Sequence, residues 1–256
     1  MKFVDVHCHI MDDCFDNDRE EVLIRAKRSN VIAIISSAFS IDEAIKTIKL
    51  MNSHKNFLFL TCGWDPTNFD IDALMEYQRF IIDNLNAIIG IGEVGLDYYY
   101  IRDPSLRNMQ KEIFISWINF AKKVNLPIIV HSRNAGDDAI ELLISEGAKR
   151  VILHAFDGRI SWAKKAVENG FFFSIPPSIV RSSQKQQLVR NIPLEFIMLE
   201  SDAPVLSPYV NQRNEPANLI YAAKMVSELK NINIEVVSDV TTYNAVSFFN
   251  IHFNGL

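Results

Sequence analysis

Short apolar runs rich in β-branched and aromatic residues alternate along this chain with longer stretches whose apolar positions recur every three or four residues. The short runs lack a clean polar alternation, which is the pattern of parallel strands covered on both faces. They predict eight strands: Lys2–His9, Val31–Ser37, Phe57–Gly63, Ala87–Glu93, Pro127–His131, Arg150–His154, Gly170–Ser174 and Glu195–Glu200. Helical patterns fill the gaps. Ser40-Ile-Asp-Glu43 is a capping box opening a helix through about Ser53. Ser105–Val124 and Asp137–Glu146 carry apolar residues at helical spacing, and Glu215–Leu229 has Pro216 near its first turn, a favoured place for proline. The last helix, Ile234–Phe249, is expected to pack on the outside. Strands and helices interleaved in this way, without a linker or a strong repeat, predict one α/β domain over residues 1–256, a (β/α)8 TIM barrel.

Composition narrows the function classes. Apolar residues make up 48% of the 256 positions, enough for a large core, and the net charge of −5 argues against a surface coated with positive charge for duplex DNA or anionic membranes. A nuclease that grips a strand end through a few arginines stays open. Three cysteines (Cys8, Cys14 and Cys62) without disulfide-like spacing, and no signal peptide, predict a reduced, cytoplasmic protein. No apolar run approaches the roughly 18 residues of a membrane span, and nothing in the chain points to an obligate protein partner.

Candidate metal ligands end the predicted strands: His7 and His9 on the first, Glu93 on the fourth, His131 on the fifth, His154 on the sixth, and Asp202 just past the eighth. A barrel gathers the C-terminal ends of its strands at one mouth, so these six side chains should converge on a two-metal hydrolase site. Side chains alternate faces along a strand, so His7 and His9 share one face while Cys8 points into the layer between strands and helices. The His7–His9 pair alone reads equally well as structural, and His131 or His154 alone is more often a structural residue; the joint placement at strand ends carries the argument. A buried Glu93 costs several kcal/mol unless paired or metal-bound, and it is the natural bridge between two cations. Asp202 can hold one metal and accept a proton from the attacking water, or serve as a turn residue ahead of Pro204.

Gly90-Ile-Gly92-Glu-Val-Gly95 matches a dinucleotide-binding pattern, but the following Leu96-Asp97-Tyr98-Tyr99-Tyr100 reads as a loop where that fold needs a helix. These glycines are better explained by close backbone approach around Glu93. Arg133, Arg159 and Arg213, with Arg102, Arg107 and Arg181 in neighbouring loops, are placed to meet phosphate, or to be ordinary solvated surface. Tyr98, Tyr99, Trp64 and Phe156 are candidates for stacking an unpaired base.

The segments DVHCH, GEVGLDYY, HSR, H-x-F, Glu200-Ser-Asp-Ala-Pro204 and RNEP occur here in that order, from Asp5 to Pro216. Together they resemble the TatD family of metal-dependent deoxyribonucleases, in the amidohydrolase-type barrel superfamily. The resemblance implies His7, His9 and Asp202 on one metal, His131 and His154 on the other, and Glu93 bridging. It also implies phosphodiester hydrolysis at DNA ends. On that reading the substrate is a DNA end or single-stranded DNA, and Asp202, Glu93 and Arg133 are the candidate catalytic residues. Histidine-rich ligation favours zinc, manganese or iron, while the resemblance points to magnesium or manganese. Two segments depart from the family pattern. Its G-x-H-P-H, associated with handling substrate phosphate, is here Gly63-Trp64-Asp65-Pro66-Thr67, and its H-C-F-S-G is His154-Ala-Phe-Asp157-Gly158. Asp65 and Asp157 suit a neutral or cationic group better than a polyanion, which keeps hydrolysis of a small amide, lactone or phosphoester as the alternative. A non-catalytic protein with a structural metal is the third reading, disfavoured because six ligands exceed the four of a closed site.

Overall fold

A computed structural model of the chain describes residues 1–252; positions 253–256 of the expected 1–256 domain lie outside the described residues. Eight strands form one sheet in chain order: β1 Phe3–Cys8, β2 Val31–Ala38, β3 Leu58–Cys62, β4 Ile88–Gly95, β5 Ile128–His131, β6 Val151–His154, β7 Phe172–Ile175 and β8 Ile197–Leu199. Every ladder, from β1–β2 to β7–β8, is parallel. The seam between β8 and β1 is closed just past the strands: Asp202 N–H donates to His7 O at 2.9 Å and His9 N–H to Ala203 O at 2.8 Å. The buried Asp5 carboxylate reinforces it, accepting from the Ser201 N–H at 2.7 Å and the Ser201 hydroxyl at 2.5 Å. The expected TIM barrel is present, and its closure runs through the turn that carries Asp202.

Helices cover the barrel: α1 Arg19–Arg28, α2 Ile41–Ser53, α3 Ile71–Asp83, α4 Pro104–Val124, α5 Gly136–Ser145, α6 Ile160–Glu168, α7 Ser183–Asn191, α8 Leu219–Lys230 and α9 Ile234–Phe249. The capping box forms at the start of α2. Ser40 Oγ accepts from the Glu43 N–H at 3.2 Å, and the Glu43 carboxylate reaches back to the Phe39 N–H at 2.7 Å, one residue before the cap. The helix expected to begin at Glu215 starts later: Pro216–Asn218 make a 3-10 turn that leads into α8.

One expectation is corrected. α9 does not lie on the outer flank. Its Ala245, Phe248 and Phe249 join Val4, Val6, Ala33, Ile35, Ile129, Ile152 and Met198 in a separate core inside the barrel. The inward strand residues at that level are mostly aliphatic, so two adjacent phenylalanines fill the end opposite the histidines. The larger core lies between strands and helices and contains Cys8. Strict alternation from Val4 and Val6 would turn Cys8 inward. The β1–β2 register shifts between Asp5 and Cys8, and this irregularity lets Val6 fill the barrel while His7 faces the mouth.

Candidate active site

All six candidate ligands meet at the mouth formed by the C-terminal strand ends. Glu93 sits at the centre. Its Oε1 lies 3.5 Å from His9 Nε2, and its Oε2 lies 3.0 Å from His154 Nε2, 3.3 Å from His131 Nδ1 and 3.7 Å from His7 Nε2. Asp202 Oδ1 is 3.5 Å from His7 Nε2 and 3.9 Å from His9 Nε2. Three overlapping groups could each hold a cation: His7–His154–Asp202, His7–His9–Glu93 and Glu93–His131–His154. Glu93 belongs to two of them.

The backbone around Glu93 explains the glycines. A Cβ on Gly63 would fall 2.0 Å from Glu93 O, and one on Gly95 would fall 1.9 Å from His131 O. β3, β4 and β5 approach this closely only because those positions lack side chains. The dinucleotide reading is excluded, since β4 runs on to Gly95 and no helix begins before Pro104.

Neighbouring groups set the histidine tautomers. His154 Nδ1 pairs with Glu200 at 3.0 Å, and His131 Nε2 with Asp97 at 3.0 Å. Ser37 Oγ donates to Gly92 O at 3.0 Å, which leaves its oxygen to accept from His7 Nδ1 at 3.2 Å. With a cation bound, the nitrogen held by a neighbour would keep the proton and the other nitrogen of each imidazole would present its lone pair to the metal beside Glu93. Glu200 is itself anchored by the Ser174 hydroxyl and the Ala155 N–H. Glu200, Asp97 and Ser37, which hold three of the candidate ligands, are residues that the strand-end reasoning passes over. Glu200 and Asp97 stand within the quoted motifs, but only their partners in space give them a role.

Charge at the site matches a place for cations. Burial works against ionised Glu93, yet His154, His7 and His131 around it hold its carboxyl well below the usual range. Burial pushes Asp202 up to about 6, and His154 opposes the rise. Burial also disfavours the His131 imidazolium, but Glu93 and Asp97 outweigh it and raise the group to about 9. His7, buried beside His154, is driven well down. Two buried atoms, His7 Nε2 and Glu93 Oε2, have no hydrogen-bond partner. Buried polar atoms are rarely left so, and two facing orphans of nitrogen and oxygen type fit a divalent cation between them.

A cavity of about 490 Å³ opens on this cluster, lined by His9, Glu93, His131, His154, Asp202, Arg133 and Lys185 among others. The Arg133 guanidinium stacks on Tyr99, 3.8 Å from the ring centre. Four of the other arginines have partners of their own, Arg181 donating to Ser207 O at 3.2 Å. Arg159 is 72% exposed and bonded to Asp137, Arg213 is held by Asp18, and Arg107 packs on Tyr98. Two of the proposed stacking residues are corrected: Trp64 is 4% exposed among Tyr77 and Trp117, and Phe156 is 1% exposed against Phe173. Both are core residues whose apolar bulk is worth more inside. Tyr98 bonds Asp138, which leaves Tyr99 as the exposed ring beside the cavity. Asp65 lines a second, more apolar slot with Phe39, Tyr100 and Ile101 beyond Glu93. Asp157 lines the main cavity and accepts from the Asn134 N–H.

Comparison with known proteins agrees with this geometry. The chain matches the family described as TatD related DNase over residues 4–250. Deoxyribonuclease TATDN3 of Homo sapiens is 41% identical, with 96% of this chain and 94% of the relative covered. The uncharacterized metal-dependent hydrolase YabD of Bacillus subtilis is 33% identical, covering 97% of this chain and 99% of the relative. The crystal structure of YjjV, a TatD homologue from Escherichia coli, has a TM-score of 0.89 at 24% identity over 98% of both chains, a likeness of fold. Among the described residues no helix is long and apolar enough to cross a membrane. With a family match spanning nearly the whole chain and relatives named as deoxyribonucleases and metal-dependent hydrolases, the protein belongs to the TatD family.

Proposed function

We propose that the protein is a metal-dependent phosphodiesterase, a deoxyribonuclease that trims DNA ends, with two divalent cations seated between its histidines. The observation that carries this reading is Glu93, whose two oxygens face different imidazoles while one oxygen is a buried orphan. His7, His9 and Asp202 would hold one cation, His131 and His154 the other, and Glu93 both. When bound, a pair of magnesium, manganese or zinc ions supplies Lewis acidity, lowering the pKa of water and neutralising charge on phosphoryl oxygens. Asp202 orients the attacking water and takes its proton. Water oxygen bonds to phosphorus as the bond to the leaving oxygen breaks, and Arg133 stabilises charge on a non-bridging oxygen. Glu200, Asp97 and Ser37 keep the imidazoles in the tautomers that ligation needs. An end needs few phosphate contacts, which suits a chain of net charge −5.

A second reading, hydrolysis of a small amide, lactone or phosphoester, is favoured by Asp65 and Asp157 beside the two cavities. The test compares kcat/KM of metal-loaded protein on a single-stranded oligonucleotide and on a panel of small amides, lactones and phosphomonoesters. The proposal requires the oligonucleotide to be the preferred substrate; turnover confined to the small compounds would replace it.

Two further outcomes are expected. Arg133→Ala lowers kcat/KM on phosphodiesters by roughly 10- to 100-fold, the worth of one charge-assisted hydrogen bond. An equal loss on a neutral amide would remove Arg133 from phosphate contact. Metal binding also releases protons. His131, raised to about 9, carries a proton at neutral pH without a cation, and His154 is shifted in the same direction. Ligation needs them neutral. Affinity therefore falls as pH drops below the His131 value and rises towards it. Calorimetry in two buffers of different ionisation enthalpy should report release of about one proton or more per chain at pH 7. A buffer-independent heat would contradict this.

A further inference from the structure

Lys185 stands in the first turn of α7, where a positive charge opposes the helix dipole. Its residue is 8% exposed, yet its side chain lines the main cavity beside His154, Asp157 and Asp202. The ammonium donates to one acceptor, Ala155 O at 2.7 Å, which leaves two of its three N–H donors unassigned. Among the described residues no carboxylate oxygen lies within 4.0 Å of it; burial lowers its pKa, and Glu200, Asp157 and Asp202 nearby oppose the shift. A buried ammonium without an ion-pair partner costs several kcal/mol. That cost falls at a residue lining the same cavity as His154, Asp157 and Asp202. Arg133 lines the same cavity, whereas the slot beyond Glu93 carries Asp65.

We infer that Lys185 forms a phosphate-binding subsite on the β6–β7 side of the mouth, contacting a non-bridging oxygen of the substrate's phosphodiester. This rests on the phosphodiesterase reading. Substrate phosphate supplies the missing acceptors, and the ammonium in turn offsets charge that Asp157 and Asp202 would repel. The Ala155 carbonyl fixes the ammonium in place before substrate arrives.

The test uses the full chain loaded with manganese and inorganic phosphate as the probe. Lys185→Met should weaken phosphate binding by about 10- to 100-fold, with Lys185→Arg recovering part of it. KM for an oligonucleotide should rise in Lys185→Met while the metal content by elemental analysis stays that of the wild type. A purely structural role, holding the Ala155 turn next to His154, would instead lower metal content and kcat together. Phosphate affinity within twofold of wild type in a metal-replete Lys185→Met overturns the subsite. Should that variant not fold, reductive methylation of the wild type decides: phosphate protects Lys185 but not exposed Lys149, and equal labelling with and without phosphate refutes the contact. Failure of the functional reading is distinct, because there the wild type itself would cleave no phosphodiester.

Discussion

Asp202→Asn lowers kcat on a phosphodiester by about 10²- to 10⁴-fold, the usual worth of a positioned general base, and leaves the fold intact. The substitution removes the acceptor for the water's proton and a negative charge from the ligand cluster. It is unusually clean for a buried site, because Asp202 has a backbone φ of 52°, a left-handed conformation that asparagine also tolerates. The backbone bond from Asp202 N–H to His7 O, which helps close the barrel, does not involve the side chain. Circular dichroism and thermal unfolding should match the wild type while turnover is lost. An active Asp202→Asn would show that proton removal lies elsewhere.

Glu93→Gln should abolish activity and strip at least one cation from the protein. Among the described residues, Glu93 is the acid common to the His7–His9 and His131–His154 groups. An amide offers one weak oxygen ligand and a donor face that repels a cation. Glu93 also opposes the burial of His131 and His154, so its loss lowers the basicity of both imidazoles. Elemental analysis after dialysis gives the answer. Wild-type metal content in Glu93→Gln would contradict a bridging carboxylate, whatever the activity.

The barrel is legible in the chain because each strand is a dense apolar run, and β1, β4, β5 and β6 carry His7, Glu93, His131 and His154 at or near their ends. The helices named from periodicity are those with a broad apolar stripe or a cap signal. Arg19–Arg28 and Ser183–Asn191 are polar sequences with only a few buried positions, and α3 carries exposed Ile71, Met75 and Ile82 that blur its stripe. The placement of α9 is not readable either, since periodicity shows which face is apolar and not which end of a barrel it covers.

The six candidate ligands are visible because the topology sends every strand end to one mouth. What supports them is not. Glu200 orients His154 across 46 residues and Asp97 orients His131 across 34, pairings that only the folded sheet creates. Lys185 is a lone lysine in a polar helix and has no signal in sequence. Trp64 and Phe156 err in the other direction: aromatic residues near strand ends suggest base stacking, but packing claims them. The same topology shows where Asp65 and Asp157, the two departures from the family pattern, fall relative to Glu93.

The most direct measurement is release of nucleotides from an end-labelled single-stranded oligonucleotide, with magnesium, manganese or zinc, by wild type and Asp202→Asn side by side. Metal-dependent release from one end by the wild type, abolished in Asp202→Asn, is the predicted result. No release with any metal, from wild-type protein shown to carry two cations, would contradict the nuclease account and move the chemistry to a small substrate.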